Sequence, residues 1–207
     1  MFSFNFLDVL YTLPAILIAL TFHEFSHGYV AYKLGDFTAK EQGRLTLNPI
    51  KHIDPMGFLV LMFFKFGWAK PVPYNPSYFK NRKKGTFLVA LAGPLSNLIL
   101  AFISISLILI LRPQNIIIYN IINLLVFYNT IFAVFNLIPV PPLDGSKIFA
   151  SLLPNKQELL FWKYERYGYP ILLILIVTGL LNKVLLPAIY FVLNKLIFIA
   201  EIFFGGL

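Results

Sequence analysis

The sequence predicts an all-α polytopic membrane protein, and three observations carry that prediction. Of the 207 residues, 58% are hydrophobic and 13% charged, whereas an ordinary soluble domain has roughly 45 to 50% apolar and about 25% charged residues. Four apolar stretches meet or approach the ~20 residues that a spanning helix needs. Most of the Lys and Arg residues cluster between those stretches. A soluble core of this size could not hide so many Phe, Ile and Leu side chains, because a domain of about 200 residues keeps a large surface in water. The apolar excess is expected to face lipid.

The first stretch, Leu7 to Tyr32, has no basic leading region and no small-residue cleavage pattern, so it is expected to remain as a spanning helix. The run from Met56 to Phe66 is about half the needed length, and the Pro- and aromatic-rich GWAKPVPYNP follows it. That pattern predicts a short re-entrant or β-hairpin segment between the first two spans. Backbone of that kind is tolerated at membrane depth only where protein or a water-filled cavity satisfies its polar groups. Further spans are expected over Thr86 to Leu111, Ile116 to Ile138 and Leu185 to Phe204. A shorter run from Tyr169 to Leu181, ended by Asn182 and Lys183, counts as another span when its flank from Phe161 joins it. The total is about five to six transmembrane helices in a single domain over 1–207.

Ten of the 17 Lys and Arg residues lie between Lys33 and Lys84, and four more (Lys147, Lys156, Lys163, Arg166) lie between the third span and the short run. Both loops are therefore expected in the cytoplasm. The N-terminus and the 112–115 turn then lie outside and, with five spans, the C-terminus inside. The net charge of +8 forms no patch interleaved with exposed aromatics, so nucleic acid is excluded as a partner. Zero cysteines remove disulfides, thiolate ligands and a cysteine nucleophile, leaving histidine and carboxylate to supply any metal site.

Residues 23 to 27 read His-Glu-Phe-Ser-His inside the first span. Two imidazoles four positions apart stand on one helix face, about 6 Å apart along the axis, and can share one metal ion. Neutral imidazole is a good zinc ligand, and Glu24 is placed to take a proton from a water beside it. A charged side chain in an apolar helix costs roughly 2.5 to 3.5 kcal/mol on insertion scales, so a helix without function would not carry three ionisable residues. The other reading, that the histidines only hydrogen-bond neighbouring helices, leaves Glu24 in need of its own buried partner.

A catalytic zinc site typically uses three protein ligands and a water, so a third ligand is required. The remaining histidine is His52, and the carboxylates near apolar segments are Asp8, Asp54, Asp144 and Glu201. Asp144 is the best placed of these. It lies in NLIPVPPLDG, where prolines end the preceding helix and free backbone groups that require a polar setting at membrane depth. It also fits the N-cap of a helix over GSKIFASLL.

HEFSH in the first span, GPLSN at 93 to 97 and NLIPVPPLDG at 136 to 145 together resemble the site-2 protease family of intramembrane zinc metalloproteases. NPIKHIDPMG followed by GWAKPVPYNP is similar to the compact bacterial branch of that family. The resemblance covers residues 20 to 145 and rests on motifs that fall in the family's order. It implies one zinc per chain held by His23, His27 and Asp144, with Glu24 as catalytic base, and it places Asn97 and Asn136 near the active site. Asn136 is expected as an oxyanion or substrate-positioning donor, with an interhelical hydrogen bond as its other reading. Asn97 is expected in packing, among the small Gly93, Pro94 and Ser96. His52, beside Lys51 and Asp54, reads as part of an interfacial loop.

The implied activity is hydrolysis of peptide bonds within or near transmembrane segments of membrane protein substrates. The substrate is a transmembrane protein or peptide, paired in extended form with a strand edge near residues 68 to 74. The lipid bilayer is the other partner, and room is left for a homo-oligomer. The PDZ or CBS modules of longer family members have no place in these 207 residues. A metal transporter would use the same side chains as a transit site, and an inactive scaffold would merely bind membrane helices. No second metal station or inverted repeat supports the first, and the intact HEFSH and LDG pair argues against the second.

Overall fold

The computed structural model describes residues 6–64 and 67–206. The chain runs through α1 (Phe6–Lys33), α2 (Thr38–Glu41), α3 (Pro55–Phe64), α4 (Arg82–Leu111), α5 (Ile116–Asn136), α6 (Asp144–Leu152), α7 (Asn155–Lys163), α8 (Gly168–Val177) and α9 (Leu180–Phe204). Asparagines start the two central helices: Asn81 Oδ1 accepts from Lys84 N at 3.0 Å, and Asn115 Oδ1 from Ile117 N at 2.9 Å. Such caps satisfy amides that a helix's first turn leaves without partners.

Among the described residues three helices, α4, α5 and α9, are long and apolar enough to cross a membrane. They cover the expected second, third and last spans, with α9 beginning five residues earlier than expected. α1 forms one helix of 28 residues over the first expected span. The short run from Tyr169 to Leu181 is not one helix. α8 has ten residues and rises about 15 Å, half of a ~30 Å hydrocarbon core. It stops where Thr178 Oγ1 turns back to Ile174 O at 2.7 Å and Gly179 takes φ +69°, a left-handed conformation that suits glycine. Continuous hydropathy hid this break.

The expected hairpin takes a different form. α3 is followed by an extended stretch whose sole pairing among the described residues is an antiparallel bridge between Ile53 and Ala69, beside a Lys70 N–H to His52 O bond of 2.9 Å. No strand ladder forms among the described residues, and residues 65–66 lie outside them. Pro71 and Pro73 supply no N–H to a ladder. Two side chains hold the stretch to the helices: Asp36 Oδ2 accepts from Asn75 N at 2.6 Å, and Arg44 donates to Lys70 O at 2.7 Å.

α1, α4 and α5 pack together, α9 lies against α4 and α5, and α6 against α4. Much of what these helices bury is small, Ala15, Ala19, Ala90, Ala92, Gly93, Ala101 and Ala133 among them, beside a cluster of Ile105, Val126 and Ala200. Ile99, Ile103, Ile110, Phe127 and Phe198 are turned outward. Small residues inside and large apolar ones outside suit close helix packing in lipid, where burying Leu or Ile gains little. At one end α7 is tied to the start of α4 by Glu158, 2.8 Å from Arg82 and 3.3 Å from Lys83.

Candidate metal centre

Three elements converge on one point. His23 and His27 share a face of α1, α4 runs beside them, and Asp144 is the first residue of α6. His23 Nε2, His27 Nε2 and Asp144 Oδ2 each lie 3.0 Å from the other two. All three residues are buried.

The outer nitrogens decide what the inner ones can be. His27 Nδ1 lies 2.7 Å from Val89 O, which can only accept, so His27 carries its proton there. His23 Nδ1 lies 2.7 Å from Asn97 Oδ1. The Asn97 amide is oriented by its other end, since Nδ2 donates to Ala19 O and to Asn129 Oδ1, both at 2.9 Å. Asn129 is oriented in turn by donating to Leu125 O at 2.8 Å. Both histidines therefore carry a proton on Nδ1, and in their neutral forms the Nε2 lone pairs face each other and a carboxylate oxygen. Lone pairs held 3.0 Å apart repel unless a cation lies among them. Outer donation to an amide or carbonyl acceptor is also the usual arrangement of metal-ligating histidine.

The donor set fits zinc. Three atoms at those separations share a point about 2.0 to 2.1 Å from each, roughly 1 Å out of their plane, which matches ordinary zinc–nitrogen and zinc–oxygen lengths. Asp144 is free for that role: the cap position of α6 falls on Leu143, with no side-chain cap bond. Gly93 makes the approach possible. A Cβ there would lie 2.5 Å from His27 Nε2 and 2.7 Å from His23 Cε1.

Glu24 Oε2 accepts the Val72 N–H at 2.8 Å. Lys147 stands at the edge of the cluster, its ammonium 3.6 Å from Asp144 Oδ1 and 5.5 Å from the centre of the Tyr74 ring. Burial works against its charge, but the neighbouring anionic groups, Asp144 and Glu24 among them, outweigh it and hold the Lys147 pKa above the ordinary lysine value. Burial pushes the Tyr74 phenol up as well, so it stays protonated.

Among the described residues, the other candidates raised by the sequence have hydrogen-bond partners outside the trio or are exposed. Asn136 Nδ2 donates to Phe132 O at 3.0 Å, one turn back along its own helix. His52 is buried and bonded to Thr46 O at 2.7 Å. Asp54 accepts from Gly57 N at 2.8 Å at the start of α3. Glu201 is exposed on α9, and the Asp8 side chain lies outside the described residues. Asn97 does more than pack, since it sets the His23 tautomer. Asn129, Val72 and Lys147 were not evident from the sequence. Only Asn129 carried a signal, as an amide inside an otherwise apolar span.

Residues 111–179 match the model of peptidase family M50. The chain is 41% identical over 185 residues to a candidate zinc metalloprotease of Bacillus subtilis, YwhC, covering 86% of this chain and 84% of that one. It is 28% identical over 180 residues to a protein of Mycolicibacterium smegmatis named as a candidate zinc metalloprotease, Rip2, covering 84% and 69%. Similarity to MJ0611 of Methanocaldococcus jannaschii, named in the same way, is 32% over 152 residues, or 70% and 72% of the two chains. No solved structure matches. Identity of 41% across most of both chains makes this chain a member of peptidase family M50, a metalloprotease of the zinc-dependent kind.

Proposed function

We propose that the chain is an intramembrane zinc metalloprotease that hydrolyses peptide bonds within or near the transmembrane segments of other proteins. The observation that carries this reading is the trio of Nε2, Nε2 and Oδ2 atoms at 3.0 Å, with both histidine protons held on the far side of the rings. One zinc per chain would rest on His23, His27 and Asp144. Held there, it supplies Lewis acidity that makes hydroxide available near neutral pH and polarises the scissile carbonyl. Glu24 takes the proton of the attacking water and returns it to the departing amine, giving two shorter peptides. The Val72 amide occupies Oε2 and leaves Oε1 to accept that proton. Asn136 gives one of its two amide hydrogens to Phe132 O and is assigned no step here.

In this reading α1, α4, α5 and α9 cross the bilayer. The two basic loops are separated by two crossings, α4 and α5, and so lie on one side. Their Lys and Arg content makes that side cytoplasmic, with the N-terminus outside and the site opening toward the cytoplasm. The substrate is an unwound membrane segment. The stretch at 68–74 can meet it mainly through carbonyl oxygens, because Pro71 and Pro73 have no N–H and those of Lys70 and Val72 are taken.

The test is zinc per chain in detergent-purified wild type beside Asp144→Ala, and cleavage beside Glu24→Gln. About one zinc in wild type, clear loss without Asp144, and a Glu24→Gln variant that keeps zinc but cuts nothing are expected. Full zinc retention in Asp144→Ala, or persistent cleavage by Glu24→Gln, overturns the assignment.

A further inference from the structure

Hydrolysis of an amide creates negative charge twice over: on the water as it loses its proton, and on the carbonyl oxygen as the π pair moves onto it. Glu24 answers the first. The second calls for a donor aimed at the place where the charge develops, the contribution that often dominates acyl-transfer catalysis. Asn136, the residue expected there, gives one of its two amide hydrogens to Phe132 O within α5.

Lys147 is differently placed. It sits one helical turn after Asp144 on α6, with its ammonium 3.6 Å from Asp144 Oδ1, the oxygen not shared with the histidines. Its ammonium also lies 5.5 Å from the centre of the Tyr74 ring. Its side chain is 32% exposed while that of Asp144 is 9% exposed, so it borders the buried cluster and still reaches solvent. Tyr74 belongs to the same extended stretch as Val72, and residues two apart along such a stretch share a face. One segment thus brackets the cluster, with the Val72 amide on the base and the Tyr74 ring against the ammonium.

We propose that Lys147, positioned by Tyr74, is the catalytic electrophile that donates a hydrogen bond to the oxyanion of the tetrahedral intermediate. This rests on the protease reading above. As water oxygen bonds to the carbonyl carbon, the C=O π pair becomes the oxyanion lone pair and Lys147 turns from Asp144 Oδ1 toward it. The proton released goes to Glu24. On collapse the C–N bond breaks, the pair returns to re-form C=O, the amine leaves with the proton from Glu24, and Lys147 swings back unchanged.

The experiment uses zinc-loaded full-length protein in detergent, with a quenched-fluorescent peptide bearing an apolar segment interrupted by Gly-Pro, and the phosphinic analogue of that peptide. Zinc per chain, kcat and KM are measured for wild type, Lys147→Met and Lys147→Arg. Lys147→Met should keep its zinc, lose about 10²- to 10³-fold in kcat with KM little changed, and bind the phosphinic analogue more weakly by the factor lost in kcat/KM. Lys147→Arg should recover part of both. Wild-type kcat in Lys147→Met overturns the proposal. So does loss of zinc together with activity, which would make the lysine a support for Asp144, or loss of activity with undiminished affinity for the analogue. Wild type that binds zinc but leaves the peptide whole overturns the protease reading itself.

Discussion

Replacing Gly93 with alanine adds one methyl group at the point where α4 meets the two histidines. That methyl would lie 2.5 Å from His27 Nε2, 2.6 Å from His27 Cε1 and 2.7 Å from His23 Cε1. Non-bonded contacts of this kind settle near 3.5 to 4.0 Å, so about 1 Å of new separation is needed. The rings cannot supply it by turning, since each Nδ1 is tied at 2.7 Å, one to Val89 O and the other to Asn97 Oδ1. Either α1 moves off α4, carrying both ligands away from Asp144, or an imidazole abandons its outer bond. A displacement of about 1 Å at a catalytic centre costs on the order of 100-fold in rate, and disturbing an outer bond costs roughly 10- to 100-fold in metal affinity. Alanine is the better helix former by about 1 kcal/mol, so helix content should hold or rise. The assay is zinc retained per chain against graded chelator, alongside circular dichroism. Expected is zinc loss at about 100-fold lower chelator activity with an intact helical spectrum. Wild-type zinc retention in Gly93→Ala would refute the packing of Gly93 on the ligands.

Asn129→Leu removes the acceptor that orients the Asn97 amide, which should weaken zinc binding by about tenfold although Asn129 touches no ligand; chelator competition reads this, and unchanged affinity contradicts the relay. Asp36→Ala strips partners from Thr38 N, Thr38 Oγ1 and Asn75 N, each worth about 1 to 3 kcal/mol when buried. It should speed amide hydrogen exchange at Lys70, Val72 and Asn75 while zinc stays bound, and unaltered protection would count against the tether.

The long helices were legible because an apolar run of spanning length has few other uses, and the histidine pair because one turn of helix sets its geometry without help from the rest of the fold. Asp144 was legible through its prolines, which mark irregular backbone in an apolar setting. The relay beyond His23 was not. Asn97 and Asn129 lie 32 positions apart in sequence and meet only once α4 and α5 have packed, and a periodic pattern carries no record of which amide faces which. Asn136 shows the same limit from the other side: motif and residue type suggested a site role, and no pattern announced that one of its amide hydrogens goes to Phe132 O one turn back. The end of α8 escaped notice because hydropathy registers what a residue dissolves in, whereas Gly179 acts through φ.

The Val72 amide has a consequence for the timing of the reaction. The bond from Val72 N–H to Glu24 Oε2 ties the aim of that carboxylate to the place where the 68–74 stretch rests. Any guest that draws this stretch toward itself pulls on the carboxylate as well; any that presses it inward holds the carboxylate where it is. Arrival of a guest and orientation of Glu24 are thereby linked through a single backbone hydrogen.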